Sequence, residues 1–220
     1  MSPRSIAQTA RRRGLDLVAL TDHNTARNVP AFAHACAAEG LAALYGTEVT
    51  TSEEVHTLAL FGSVEEAVSF GELIYESLER IPHSGSRFGD QVVVDEEEMV
   101  VLELDRFLGT PSAFSLTEVG RLIHERNGLF IPAHIDRSMF SVWSQLGFLP
   151  ADDYDAVELL GNGARIPTDP YAVTCASDAH FLEAIARRHI AFEAPDGTAT
   201  GPELMDALRD AFAAHALALQ

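Results

Sequence analysis

Short apolar runs alternate with longer amphipathic ones along the chain. LDLVAL (15–20), LAALYGTEV (41–49), HTLALF (56–61), LFIPAH (129–134), DAVELL (155–160) and AVTCAS (172–177) predict strands, and IAFEA (190–194) a weaker one. Between them, SPRSIAQTARRRG (2–14), NVPAFAHACAAEG (28–40), SVEEAVSFGELIYESL (63–78), SLTEVGRLIHERNG (115–128) and GPELMDALRDAFAAHALAL (201–219) predict helices, with a further one over 179–187. Their ends are punctuated. Ser2 caps a helix that has Pro3 at its first position, Gly14 and Gly40 act as stops, and Ser63/Glu66 and Ser115/Glu118 predict capping boxes.

Strands that alternate with helices predict parallel pairing, because parallel neighbours need long crossovers. Continuously apolar strands predict a sheet covered on both faces. An open doubly wound sheet and a closed α/β barrel both satisfy the pattern. Residues 81–110 break the rhythm and read as a loop and a helix inserted into a single domain over 1–220.

Composition narrows the class. A chain of 220 residues, 47% hydrophobic, can bury one sizeable core. It has no apolar run long enough for a membrane span, and no apolar segment follows its charged N-terminus, so a cytoplasmic protein is expected. Cys36 and Cys175 are expected to be free thiols. Lys plus Arg total 15 against 33 acidic residues, a net charge of −18, which predicts that nucleic acid is disfavoured as a partner. All the basic residues other than histidine are arginine; the absence of lysine excludes Schiff-base chemistry and a Walker-type phosphate loop.

The strand ends carry the chemistry. Leu15–Leu20 runs into Asp22 and His23; strand 41–49 carries Glu48; His56 opens the next strand; strand 129–134 ends in His134, with Asp136 and Arg137 beyond; strand 155–160 carries Glu158; and strand 172–177 leads to Asp178 and His180. Each has an ordinary explanation: TDHN capping the following helix, Glu48 pairing with an arginine, Asp178 capping 179–187. Their repetition at strand ends points instead to one face of an α/β architecture, where sites are assembled from several strands. Imidazole and carboxylate together suit zinc, manganese or iron. His34, His124 and His215 fall inside helical patterns and are expected to be structural, with weak claims for His83 and His189.

TDHN (21–24), GTEVTTSEEVHTLALF (46–61), IPAHIDR (131–137), VELL (157–160) and SDAH (177–180) together resemble the PHP family, the polymerase and histidinol phosphatase domains. The resemblance implies a distorted (β/α)7 TIM-like barrel with two or three metal ions at its strand ends. It implies a metal-dependent hydrolase of phosphomonoesters or phosphodiesters. Glu48 would bridge two inner ions, His56 and His134 would complete one of them, and Asp178 would serve the other. His23 and His180 would hold an outer ion, while Asp22 and Glu158 would orient ligands from behind. Asp178, His180 and Arg137 would act in catalysis. Arg137, with Arg87 and Arg165 after it, would grip a small phosphorylated substrate.

The chain departs from the family at the front, where a first strand ending in His-x-His is expected; none occurs here. The expectation is therefore a barrel missing its first strand through truncation, a misplaced start or natural loss, with weakened hydrolysis and an open seam covered by a homodimer or a displaced segment. The alternative is a non-catalytic metal-binding structural or regulatory domain.

Overall fold

The computed structural model describes residues 1–83, 85, 89–161, 166–194 and 201–220. The expected Arg87 and Arg165 contacts lie outside the described residues. In chain order the elements are α1 (Pro3–Arg12), β1 (Leu17–His23), α2 (Val29–Ala38), β2 (Ala42–Thr50), β3 (His56–Phe61) and α3 (Val64–Ser77). There follow β4 (Val92–Val94), β5 (Val100–Glu103), α4 (Leu116–His124), β6 (Leu129–Pro132), α5 (Val142–Leu146), β7 (Val157–Glu158), β8 (Val173–Thr174), a 3₁₀ turn (Leu182–Ala184), β9 (Ile190–Ala191), α6 (Gly201–Ala213) and β10 (Ala218–Leu219).

The main sheet has the order β1-β2-β3-β6. β1 and β2 are parallel, with Leu17 opposite Ala42 and His23 opposite Glu48. The expectation of parallel pairing fails for the next two pairs: β2–β3 and β3–β6 are antiparallel. Residues 51–55 between β2 and β3 are too few for a crossover, so the chain turns back as a hairpin with Thr50 opposite His56. β7 and β8 form a parallel pair beside β6, tied to it by Asp155 N–H to Phe130 O (3.0 Å) and Ile135 N–H to Glu158 O (2.8 Å). Among the described residues no closed barrel forms, and β1 stands at the edge of its sheet.

Both faces of the sheet are covered, as the apolar strands predict. Successive residues of a strand point to opposite faces. Ala43, Ala59, Phe61 and Phe130 therefore enter one core with Phe32 of α2, Phe70 of α3 and Ile123 of α4. Leu44, Leu60, Leu129 and Ile131 enter another with Leu204, Leu208 and Phe212 of α6. Each fully buried phenylalanine contributes roughly 1.5–3 kcal/mol. Gly46 is required by the β2–β3 pairing, since a Cβ there would lie 1.9 Å from the Ala59 carbonyl oxygen.

The serine caps form as the sequence predicts, but the Ser63/Glu66 pair makes only half of the expected box. Ser63 Oγ accepts from Glu66 N–H (3.2 Å), and Ser115 and Glu118 form the reciprocal box. Three expectations are corrected. The insertion contains the antiparallel β4–β5 hairpin rather than a helix. Its acidic run makes the turn because Asp95 Oδ1 accepts from Glu97 N–H (3.1 Å) and Met99 N–H (2.8 Å), diverting the backbone from helix, and the flanking Val runs pair instead. The helix over 179–187 reduces to the 3₁₀ turn. The C-terminal helix stops at Ala213, and Ala218–Leu219 pairs with β9. Cys36 and Cys175 are free thiols, and burial pushes Cys36 up to about 12. No helix among the described residues is long and apolar enough to cross a membrane.

Candidate metal centre

Register brings the strand-end residues together. The β1–β2 pairing sets His23 opposite Glu48, and the hairpin turn returns His56 to the same end. β6 runs antiparallel to β3 with Thr57 opposite Pro132, so the chain beyond β6 delivers His134 there as well. His56 Nδ1 lies 2.8 Å and His134 Nε2 3.1 Å from Glu48 Oε1, while His23 Nδ1 lies 3.6 Å from Glu48 Oε2. His23, Glu48 and His56 have donor atoms all within 4.8 Å of one another. The structure thus places His23 with Glu48 and His56, whereas the resemblance assigns it to a separate ion with His180. The His23 and His180 rings stand 6.0 Å apart.

This donor set fits a divalent ion. Ligand atoms around a tetrahedral zinc at ordinary bond lengths are about 3.3 Å apart, and the three contacts to Glu48 bracket that spacing. The Nδ1 atom of His56, which faces Glu48, is buried without a hydrogen-bond partner among the described residues. The short contact from His56 Nδ1 to Glu48 is not aligned as a hydrogen bond. Buried, unpaired donors are costly, and coordination relieves that cost.

Electrostatics at the centre follow from burial. Desolvation alone would raise Glu48, but the hydrogen bond from His134 and the proximity of His56 and His23 outweigh it and hold the carboxyl well below its ordinary range. Desolvation would lower His134, but the same Glu48 carboxylate carries it above its ordinary value. His23 is lowered, chiefly by burial, with Glu48 opposing. Glu158 is pushed up to about 7 by burial, against the pull of His134; its carboxylate accepts from the His134 backbone N–H (3.2 Å).

The backbone is bent to present these groups. His134 and Asp178 have φ of 33° and 44°, and Asn24 has 51°. Non-glycine residues persist in that region where surrounding contacts over-determine them. Asn24 shows those contacts. It is fully buried, donates from Nδ2 to Leu108 O (2.8 Å) and Thr110 O (3.1 Å), and accepts from Thr50 N–H (2.9 Å). TDHN is therefore not the cap of α2; it is a clamp between β1, β2 and the insertion. Asn28 adds a second clamp, accepting from Val94 N–H (3.0 Å) and donating to Val92 O (3.1 Å).

Asp22 sits one residue before His23 on β1, where the side chain points to the other face. Its carboxylate accepts from Asn28 Nδ2 (3.3 Å), and burial raises its pKa. Asp136 accepts from Leu160 N–H (2.8 Å). On the loop after β8, Asp178 receives Arg137 Nη1 at 3.4 Å, and His180 Nδ1 lies 3.0 Å from the Asp178 carbonyl. Phe140, which sequence reasoning passed over, stacks on the His56 ring (4.8 Å, 12°) and accepts from its backbone N–H (2.8 Å). The only signal for it was its place shortly after IDR. His124 donates to Asp155 (2.9 Å), and His83 Nε2 contacts Gly89 O (2.7 Å). A cleft of about 1220 Å³ opens onto the centre and includes His23, Glu48, His134, Asp178 and His180 in its walls.

A model of the PHP domain matches residues 1–124. Among solved structures, the chain is similar to PfuEndoQ, a lesion-specific endonuclease from Pyrococcus furiosus (TM-score 0.65, 18% identity, covering 100% of this chain and 53% of that one). It is similar to endonuclease Q in complex with a 27-mer duplex substrate carrying an abasic lesion at the active site (0.58, 18%, 96% and 52%). It is also similar to a protein proposed to be a metal-dependent phosphoesterase from Bifidobacterium adolescentis (0.56, 21%, 94% and 90%). The chain spans about half the length of the endonuclease Q chains it matches. No curated protein matches it.

The expectation that nucleic acid is disfavoured is overturned by these likenesses, since endonuclease Q, a protein with this fold, is seen with a DNA duplex. Net charge averages the whole surface, whereas binding depends on the local field.

Proposed function

The chain belongs to the PHP domain family, and from that premise we propose that it is a metal-dependent hydrolase of phosphate esters. The observation that carries this reading is Glu48 buried among the imidazoles of His23, His56 and His134. The β7–β8 pair hydrogen-bonded beside β6 supports placing the sheet within a distorted (β/α)7 barrel of that family.

In this reading Glu48, His56, His134 and His23 bind zinc, manganese or iron. Such an ion supplies Lewis acidity and a water acidic enough to give a nucleophile near neutral pH. Arg137 offers a guanidinium fork to phosphate oxygens, and Asp178 orients it in the free protein. The contact with the Asp178 main-chain carbonyl fixes the His180 proton on Nδ1, leaving Nε2 free to accept a proton from an attacking water. Glu158 holds the His134 backbone N–H, and Asp22 holds the Asn28 side chain. The test is turnover of para-nitrophenyl phosphate, bis-para-nitrophenyl phosphate and a DNA strand with each of the three metals. Metal-dependent hydrolysis that Glu48→Gln abolishes is expected; no turnover of any substrate with any metal contradicts the reading.

One observation favours a second reading, a non-catalytic metal-holding domain. Asp178 is met by Arg137 rather than by a pair of histidines, so the donors present suit a single well-held ion. Bound metal without turnover in the same assay distinguishes it.

A further inference from the structure

The chain carries a net charge of −18, yet its arginines are not evenly neutralised. Arg27, Arg106, Arg121, Arg137 and Arg209 each pair with a carboxylate. Arg11, Arg12, Arg13, Arg187 and Arg188 make no ion pair among the described residues, and the first four are exposed. Two segments far apart in sequence bring them together: the end of α1 and the chain after the 3₁₀ turn. Arg13 Nη2 (3.4 Å) and Arg187 Nε (3.2 Å) donate to the same atom, the Glu183 carbonyl oxygen. Asp16 and Glu183 also lie in these segments, and neither carboxylate is bonded to these arginines.

Arginines in the last turn of α1 are favourable for the helix dipole, which accounts for Arg11 and Arg12 alone. It does not account for a second segment delivering Arg187 to the same carbonyl as Arg13. Two guanidiniums on one neutral oxygen repel each other, and an anion between them removes that cost. Arg11 and Arg188 line the same cleft as His23, Asp178 and His180.

We propose that Arg11, Arg12, Arg13, Arg187 and Arg188 form a seat for the phosphate backbone of a nucleic-acid strand whose scissile phosphate lies at the metal centre. The proposal rests on the hydrolase reading for the second half of that statement. A cleft joining a phosphate-hydrolysing centre to a basic rim suits a polyanion with phosphates at regular intervals. A lone phosphomonoester would use the centre and leave the rim without a role.

The experiment uses the full chain in chelator, which separates binding from turnover. Fluorescence anisotropy follows a labelled single-stranded DNA over a salt series. The expected result is salt-sensitive binding that Arg13→Glu/Arg187→Glu weakens about tenfold or more, with the salt slope reduced by about 1.4 for two lost contacts. Arg121→Glu, on the exposed face of α4, is expected to bind as the parent does. If the double variant melts early, Arg11→Gln/Arg12→Gln repeats the measurement. No binding by the parent, unchanged binding by the variants, or a loss confined to phosphatidylserine vesicles with DNA binding intact overturns the seat. Turnover of bis-para-nitrophenyl phosphate is measured in parallel on the parent. Turnover without DNA binding overturns the seat alone, and DNA binding without turnover of this diester, of para-nitrophenyl phosphate or of the DNA strand with any of the three metals overturns the hydrolase reading alone.

Discussion

Glu48, His56 and His134 stand at the ends of hydrogen-bonded strands, and their side chains are 7%, 10% and 1% exposed. Asp178 and His180, across the same cleft, stand on irregular chain after β8 and are 22% and 57% exposed. The first group is fixed by sheet register and poor in water, with Phe140 stacked on His56. The second is fixed by one long ion pair and one contact to its own backbone. Preorganised donors hold an ion without paying for rearrangement, so under the proposed function tight metal binding is expected of the strand-borne wall. The loop-borne wall suits groups that change partners as a substrate arrives.

The largest effect on this comparison is expected from Glu48→Gln. The amide keeps the shape but removes the negative charge that all three imidazoles face. Metal affinity is expected to fall by at least about a hundredfold, with hydrolysis lost in step, measured by competition with a chelating dye. An equal loss from His180→Ala would erase the distinction between the walls.

A smaller effect, on substrate rather than metal, is expected from Arg137→Ala. Its ion pair with Asp178 is over a third exposed on the arginine side, so stability should barely change. KM for a phosphate ester is expected to rise about tenfold with metal content unchanged, as for loss of one charge-assisted contact. Steady-state kinetics beside elemental analysis check both halves.

Asn24→Ala tests the clamp that sets the strand ends. Its removal leaves the Thr50 N–H and two carbonyls without their buried partner, at about 1–3 kcal/mol for each group left unsatisfied. A lowered Tm is expected, together with weaker metal binding, because the turn that follows His23 is freed.

The smallest effect concerns a histidine away from the centre. The hydrogen bond to Asp155 carries His124 above its ordinary pKa, against partial burial. The bound proton is therefore favoured in the folded chain. The stabilisation is fully present below the unfolded histidine value and is lost as pH rises through the folded one. Asp155→Asn is expected to flatten that part of the stability–pH curve, followed by denaturant unfolding at several pH values.

Much of this was legible in the sequence, and the physical reasons differ by element. Ser2, Ser63 and Ser115 announced their helices because capping is local chemistry. Glu48, His56 and His134 were legible as a group because apolar strands carried donors with no need of them for folding, whereas His23 was expected beside His180 and stands with Glu48 and His56. Strand direction was not legible at β3, since the alternation rule assumes a crossover and the 51–55 link is a hairpin turn. VVVDEEEMVV was misjudged because the side chain of Asp95 outcompetes helical backbone bonding at a turn. The Asn24 clamp depends on Leu108 and Thr110, distant in sequence, and the arginine patch depends on Glu183 joining two segments. Neither is visible to any local pattern, and the patch is also where whole-chain charge misled.

The central claim is that one strand-borne centre holds the metal. The direct measurement is metal content per chain by elemental analysis after dialysis against a mild chelator, for the parent, His134→Ala and His180→Ala. The account predicts one or two ions on the parent, most of that metal lost in His134→Ala, and most of it kept in His180→Ala. Three ions retained by the parent, or no loss in His134→Ala, would contradict it.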